Sequence, residues 1–146
     1  MKKLLFVCTG NTCRSPMAEA IFNKRASEYG IDAVADSRGL ASDGSGISRN
    51  ANLVLSEIGI DASEHISANV SEKDMREADF VIGITSRHAS ALIGAFPKYC
   101  DKVFAFPFDV SDPFGGNEEV YRKARNEISR GIDIVIRELF RNEESR

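Results

Sequence analysis

The chain has 146 residues, 42% of them hydrophobic and 28% charged, with no tryptophan. That length and balance fit one globular domain, residues 1–146, able to bury roughly 68–70% of its unfolded surface without disulfide or metal support, and they exclude a disordered or fibrous chain. Nineteen basic against 22 acidic residues leave a net charge of −3, so no bulk positive field grips nucleic acid, although a local anion pocket built from aimed donors stays open.

The chain opens Met1-Lys2-Lys3, then Leu4-Leu5-Phe6-Val7. The order of charge and apolar residues is that of a signal peptide, but the apolar run is far shorter than the ~7–15 residues of a signal h-region. It reads as a buried first strand. Pro16 suits a first helical position. Met17, Ile21, Phe22, Ala26 and Tyr29 follow at helical spacing, and Gly30 sits where that helix would stop. Ala33 to Ala35 is a weaker second strand. Leu53, Val54 and Ile58 predict a short helix ending at Gly59, and Ser71 with Asp74 resembles a capping box. Phe80 to Ile84 reads as a third strand, followed by a helix through Ala89, Leu92 and Ile93 that ends before Pro97. Val103 to Phe106 is the fourth strand, and a turn-rich stretch runs from Pro107 to Gly116. The last helix shows the clearest period, in Tyr121, Ala124, Ile128, Ile132, Val135, Ile136 and Leu139. Its charged end, Arg141 to Arg146, is expected to fray. No apolar stretch approaches the ~18 residues of a membrane span. Strand–helix alternation predicts an α/β fold: a parallel sheet with helices on both faces and a ligand site beyond the carboxyl ends of the strands.

The strongest chemical signal is Cys8-Thr9-Gly10-Asn11-Thr12-Cys13-Arg14-Ser15-Pro16, which joins the first strand to the first helix. Successive backbone N–H groups in such a loop converge on an anion, and the helix adds about half a positive charge at its start. Gly10 and Asn11 tolerate positive φ. Arg14 supplies a fork of donors matched to two phosphate oxygens. By itself a cysteine at a strand end is a small core residue. In this field its thiolate is the charge being stabilised, so Cys8 is a candidate nucleophile toward a bound phosphate. Covalent attack needs an acid for the leaving atom. Asp112, in Asp112-Pro113-Phe114-Gly115-Gly116, is the first candidate and Asp109 the second; an Asp-Pro pair is otherwise an ordinary turn.

These two motifs, in this order, resemble those of the low-molecular-weight protein tyrosine phosphatase family, and the likeness extends over essentially the whole chain. The resemblance implies a three-layer α/β/α fold with a four-stranded parallel sheet of order 2-1-3-4. It implies that Cys8 attacks and becomes a phosphocysteine. Arg14 then binds the phosphate and stabilises its transition state, while Asp112 protonates the leaving group and later activates water. Thr9, Gly10, Asn11, Thr12, Cys13, Arg14 and Ser15 match the phosphate loop. Asn11 and Ser15 match positions that hold the loop and support the thiolate, and Ser37 and His65 match supporting positions behind it. No metal or other cofactor is implied.

Thr12 stands where tyrosine phosphatases of this family carry a larger aliphatic residue, and here the loop resembles the bacterial protein arginine phosphatase branch. A hydroxyl suits a polar guanidinium better than a methyl does. Asp112 can pair with guanidinium nitrogens, and Phe114 can stack on a guanidinium or a phenol. Phosphoarginine is therefore the favoured substrate and phosphotyrosine the alternative. A thiol-dependent arsenate reductase is a remote alternative, since it needs further redox cysteines. A phosphoprotein-binding module would need neither Cys8 nor Asp112. Cys13 is a candidate partner for Cys8 in a protective disulfide, whereas Cys100, Tyr121 and the isolated His65 and His88 read as structural or non-metal residues. Three cysteines are a poor disulfide framework and point to a reducing cytoplasm. The expected partners are phosphorylated proteins and oxyanions, with no nucleic acid or membrane, and the chain is expected to be a monomer.

Overall fold

Strand β1 (Lys2–Cys8) pairs in parallel with β2 (Ala33–Gly39) on one side and β3 (Phe80–Gly83) on the other, and β3 pairs with β4 (Val103–Ala105). The resulting order is β2-β1-β3-β4, as the family resemblance implied. The computed structural model describes residues 1–144. Of the Arg141–Arg146 end expected to fray, residues 141–144 continue the last helix, and residues 145–146 lie outside the described residues.

β1 is an interior strand, so its apolar run is consumed by both faces. Leu4 and Phe6 enter one core, and Leu5 and Val7 the other, because successive side chains alternate across a strand. The first core is covered by α1 (Arg14–Tyr29), α2 (Arg49–Ser56) and α5 (Glu118–Glu144). Met17, Ile21 and Phe22 of α1 meet Ile128, Ile132 and Ile136 of α5 there, all at most 2% exposed. Burying side chains of this size contributes about 1.5–3 kcal/mol each. The second core is smaller. It is covered by α3 (Glu72–Glu77), α4 (Ser86–Ala95) and a 3₁₀ turn at Pro97–Lys102, through Met75, Leu92 and Tyr99.

The capping box at Ser71 and Asp74 forms as the sequence predicts. Gly30 takes φ +68° and ends α1 by returning its N–H to the Ala26 carbonyl. Other expectations shift. α1 begins at Arg14, so Pro16 is its third residue, still within the turn whose N–H groups have no helical acceptor. β2 runs on to Gly39, while β3 and β4 stop one residue early, at Gly83 and Ala105. Tyr29 and Ile93 keep the helical period but stand 52% and 41% exposed, since nothing packs over the flanks they occupy. Cys100, read as structural, is exposed in the 3₁₀ turn.

The loop between β1 and α1 lies at the carboxyl ends of the strands, where the sheet order reverses. β2 fixes its height. Gly39 is paired with Cys8, and a Cβ at Gly39 would stand 2.7 Å from the Thr9 carbonyl oxygen. Leu40 and Ala41 then donate their N–H groups to the carbonyls of Cys8 and Thr9, at 2.9 and 2.8 Å.

Candidate active site

Residues 8–14 wrap one side of a cavity of about 330 Å³, and Asp112 and Phe114 close it from the loop after β4. Cys8 is 3% exposed at the end of β1. Its Sγ lies 2.9 Å from Ser15 Oγ and accepts the Asn11 N–H at 3.3 Å. α1 starts with Cys13 at its N-cap and no side chain bonded to its first amides, so that end of the helix keeps donors for an anion.

Asn11 holds the loop. Its backbone takes φ +60°, the left-handed region that asparagine tolerates. The residue is fully buried, and its amide binds three segments. Nδ2 donates to Ser15 Oγ (2.8 Å) and Ser37 Oγ (3.0 Å), and Oδ1 accepts the Ala68 N–H (3.1 Å). His65 donates from Nε2 to the Asn11 carbonyl at 2.8 Å. Because Asn11 donates to Ser15, the Ser15 hydroxyl hydrogen remains for the Cys8 sulfur or the Arg38 carbonyl, the latter at 3.4 Å. Ser37 donates in turn to Glu19 Oε1 at 2.6 Å. Burial raises the Glu19 pKa above the usual carboxylate range, and the Ser37 hydrogen bond partly opposes it.

Arg14 is 7% exposed. Its Nη1 donates to the Val110 carbonyl at 3.0 Å, and Nη2 lies 3.7 Å from Asp112 Oδ2. The structure separates the two acid candidates. Asp109 accepts the Ser86 N–H at 2.9 Å at the start of α4, whereas Asp112 lines the cavity and accepts the Phe114 N–H at 3.1 Å. Phe114 is 80% exposed at the rim. Thr12 forms part of the wall, with its carbonyl held by the Ser48 N–H at 2.9 Å.

Cys13 lines the cavity too, but its Sγ is 3.3 Å from the Tyr121 hydroxyl and 3.4 Å from Ser48 Oγ. Tyr121 is a core residue, as expected, with a polar end on this loop. Burial, then the Cys13 thiol, push its phenol up to about 12. Sequence reasoning missed Glu19, Asp43, Ser45 and His88. Asp43 and Ser45 come from the loop after β2 and line the cavity. His88 reaches Thr9 from α4; its only local sign is the Thr85-x-x-His88 spacing, which matches that of Ser71 and Asp74. Among the described residues, no group of three or more His, Cys, Asp or Glu side chains is placed to hold a metal.

Fold and loop together define an α/β protein with a loop and a bare helix start gathered around a buried cysteine sulfur. The sequence model of the low molecular weight phosphotyrosine protein phosphatase family matches residues 3–145, and the chain belongs to that family. The protein-arginine-phosphatase of Geobacillus stearothermophilus is 39% identical, over 94% of this chain and 95% of its own. The structure of a low molecular weight protein tyrosine phosphatase from T. tengcongensis superposes with a TM-score of 0.91 at 41% identity, covering 95% of this chain and 100% of that one. A cysteine-to-serine mutant of the YwlE arginine phosphatase, with its active-site serine phosphorylated, gives a TM-score of 0.90 at 34% identity, covering 94% of this chain and 95% of that one.

Proposed function

We propose that this chain, acting as one domain over residues 1–146, is a protein phosphatase that takes the phosphoryl group onto Cys8 and prefers phosphoarginine. One observation carries the reading: Cys8 Sγ accepts the Asn11 N–H and touches the Ser15 hydroxyl, while Arg14 and Asp112 reach the same cavity from separate segments. The phosphorylated serine of the YwlE mutant supports covalent transfer in a relative.

In the first step a sulfur lone pair forms the S–P bond as the bond from phosphorus to the leaving nitrogen or oxygen breaks. Asp112 gives its proton to that leaving atom. In the second step water attacks phosphorus, Asp112 takes the water proton, and the Cys8 thiolate departs as inorganic phosphate is freed. The Val110 carbonyl fixes one arm of Arg14, which leaves the rest of the fork for the phosphoryl oxygens.

Thr12 offers a hydroxyl at the wall, and Asp43 and Asp112 add carboxylates to the lining, which suits a guanidinium leaving group. The name of the T. tengcongensis relative favours the second reading, phosphotyrosine, while the exposed Phe114 ring suits either leaving group. Arsenate reduction fits less well. Cys100 precedes β4, at the amino end of the sheet, while Cys8 lies at the carboxyl end of β1, so Cys100 is badly placed to relay electrons. Cys13 is the nearer thiol. With peroxide as oxidant, Cys8 and Cys13 give one disulfide and two waters, which peptide mass spectrometry detects and a thiol reductant reverses. No helix among the described residues is long and apolar enough to cross a membrane, and the proposed setting is a reducing cytoplasm with the chain as a monomer.

The test compares kcat/KM on phosphoarginine and phosphotyrosine peptides for the wild type and Thr12→Ile. The wild type should prefer phosphoarginine and the variant should move toward phosphotyrosine; identical preferences would defeat the substrate assignment. Cys8→Ser should abolish turnover while still binding phosphate, and full activity in that variant would overturn the whole proposal.

A further inference from the structure

The scheme above leaves one buried titratable group unused. His88 is 6% exposed at the start of α4, and its ring bridges that helix to the phosphate loop. Nδ1 lies 3.2 Å from the Thr85 N–H and 2.9 Å from the Thr85 hydroxyl oxygen. A backbone N–H only donates, so Nδ1 must accept and the ring proton sits on Nε2. The other tautomer would set N–H against N–H. Burial, and then the positive charge of Arg14, hold the imidazole below its ordinary pKa, in the neutral form that this arrangement needs.

Nε2 lies 2.9 Å from Thr9 Oγ1. With Nε2–H donating, Thr9 Oγ1 spends a lone pair on histidine and its own hydrogen turns away from the ring. Thr9 follows Cys8 directly and lines the cavity. No other side-chain or backbone partner holds its hydroxyl among the described residues, so the free hydrogen has the cavity to point into. A bare threonine hydroxyl would rotate among its three rotamers and would lose that freedom on turning its hydrogen to an anion, a cost the histidine bond removes in advance.

We propose that His88 is a positioning residue: through Thr9 it fixes a hydroxyl hydrogen toward the oxyanion in the cavity, adding a side-chain donor to the backbone cradle. The role rests on the phosphatase reading and extends it to a residue on a separate helix. It predicts that His88 acts only through Thr9.

Two substitutions separate this role from the capping of α4. His88→Asn keeps an acceptor for the Thr85 N–H, in the way Asp74 serves Ser71 at 3.0 Å, but is too short to reach Thr9. His88→Gln makes the Thr-x-x-Gln capping pair and carries an amide N–H far enough to restore the donor. kcat/KM is measured on an aryl phosphate, and inorganic phosphate affinity by calorimetry. His88→Asn and Thr9→Val should each lower both by roughly three- to tenfold, the scale of one neutral hydrogen bond. The double variant should be no worse than either single one, and His88→Gln should recover most of the loss. Additive losses, wild-type phosphate affinity in His88→Asn, or no recovery with glutamine would overturn the role. A wild type that binds phosphate but turns over no substrate would instead refute the phosphatase reading, and calorimetry would still test the donor.

Discussion

Substituting Asn11 by alanine removes the amide that joins the loop to the segments carrying Ser15, Ser37 and Ala68. The three partners are not stranded by the loss. Ala68 is exposed, so water can take its N–H, and Ser15 and Ser37 keep partners in Cys8 and Glu19, so each loss is near the ordinary net value of about 0.5–1.5 kcal/mol. Alanine at φ +60° adds about 1–2 kcal/mol. The expected destabilisation is about 2.5–6.5 kcal/mol, a large share of the ~5–15 kcal/mol that holds a domain folded. Asn11→Gly loses the same bonds but tolerates the backbone angle. It should therefore be milder by about 1 kcal/mol once glycine's chain entropy is counted. Urea unfolding of the three proteins measures both differences. Equal midpoints for the alanine and glycine variants would refute the backbone argument. Either variant within about 0.5 kcal/mol of wild type would refute the claim that this amide holds the loop.

Asp112→Asn should lower kcat by about 10²–10⁴ and remove the limb of the pH–rate profile that reports the acid; an unchanged profile would take Asp112 out of proton transfer. Gly39→Ala places a Cβ 2.7 Å from the Thr9 carbonyl oxygen and 3.1 Å from Asn11 Cβ. The loop must move, so phosphate affinity, read by calorimetry, should fall, and wild-type affinity would contradict the proposed fit. Glu57 ties α2 to α5. Its pKa is lowered to about 2 mainly by the Arg122 hydrogen bond, with Arg125 assisting. A depressed carboxylate contributes stability that is present above about pH 4.5 and lost as pH falls toward 2. Thermal unfolding of Glu57→Gln should converge on wild type at the acid end and fall below it at neutral pH; a constant gap would sink this linkage.

The parts of the site carried on contiguous residues are readable from sequence, because the strand, loop and helix start from Val7 to Pro16 are one local unit. Asp112 is readable for the same reason, as a shaped turn after a strand. His88 is not, since α4 meets the loop only once it packs on the sheet, and Glu19 is not, since from α1 it joins the network only through Ser37 of β2. The end of β2 hides for a related reason. Its inward residues there are Ser37 and Gly39 rather than apolar ones, because one serves the Asn11 network and the other makes room for the Thr9 carbonyl. Polar and small residues facing inward break the alternation that marks a strand. Tyr29 and Ile93 show the converse: period records spacing along a helix, and only the assembled fold decides which flank has a neighbour.

The bare opening of α1 ties folding to solute composition. An oxyanion seated there completes the helix as a capping side chain would, so the folded state gains whatever free energy that occupancy supplies. At a hundred times its Kd, orthophosphate would add about 2.7 kcal/mol to the resistance of the molecule to unfolding. In the proposed reaction the released product is the same ion, so accumulated turnover would both harden the catalyst against heat and compete with the next substrate for its mouth.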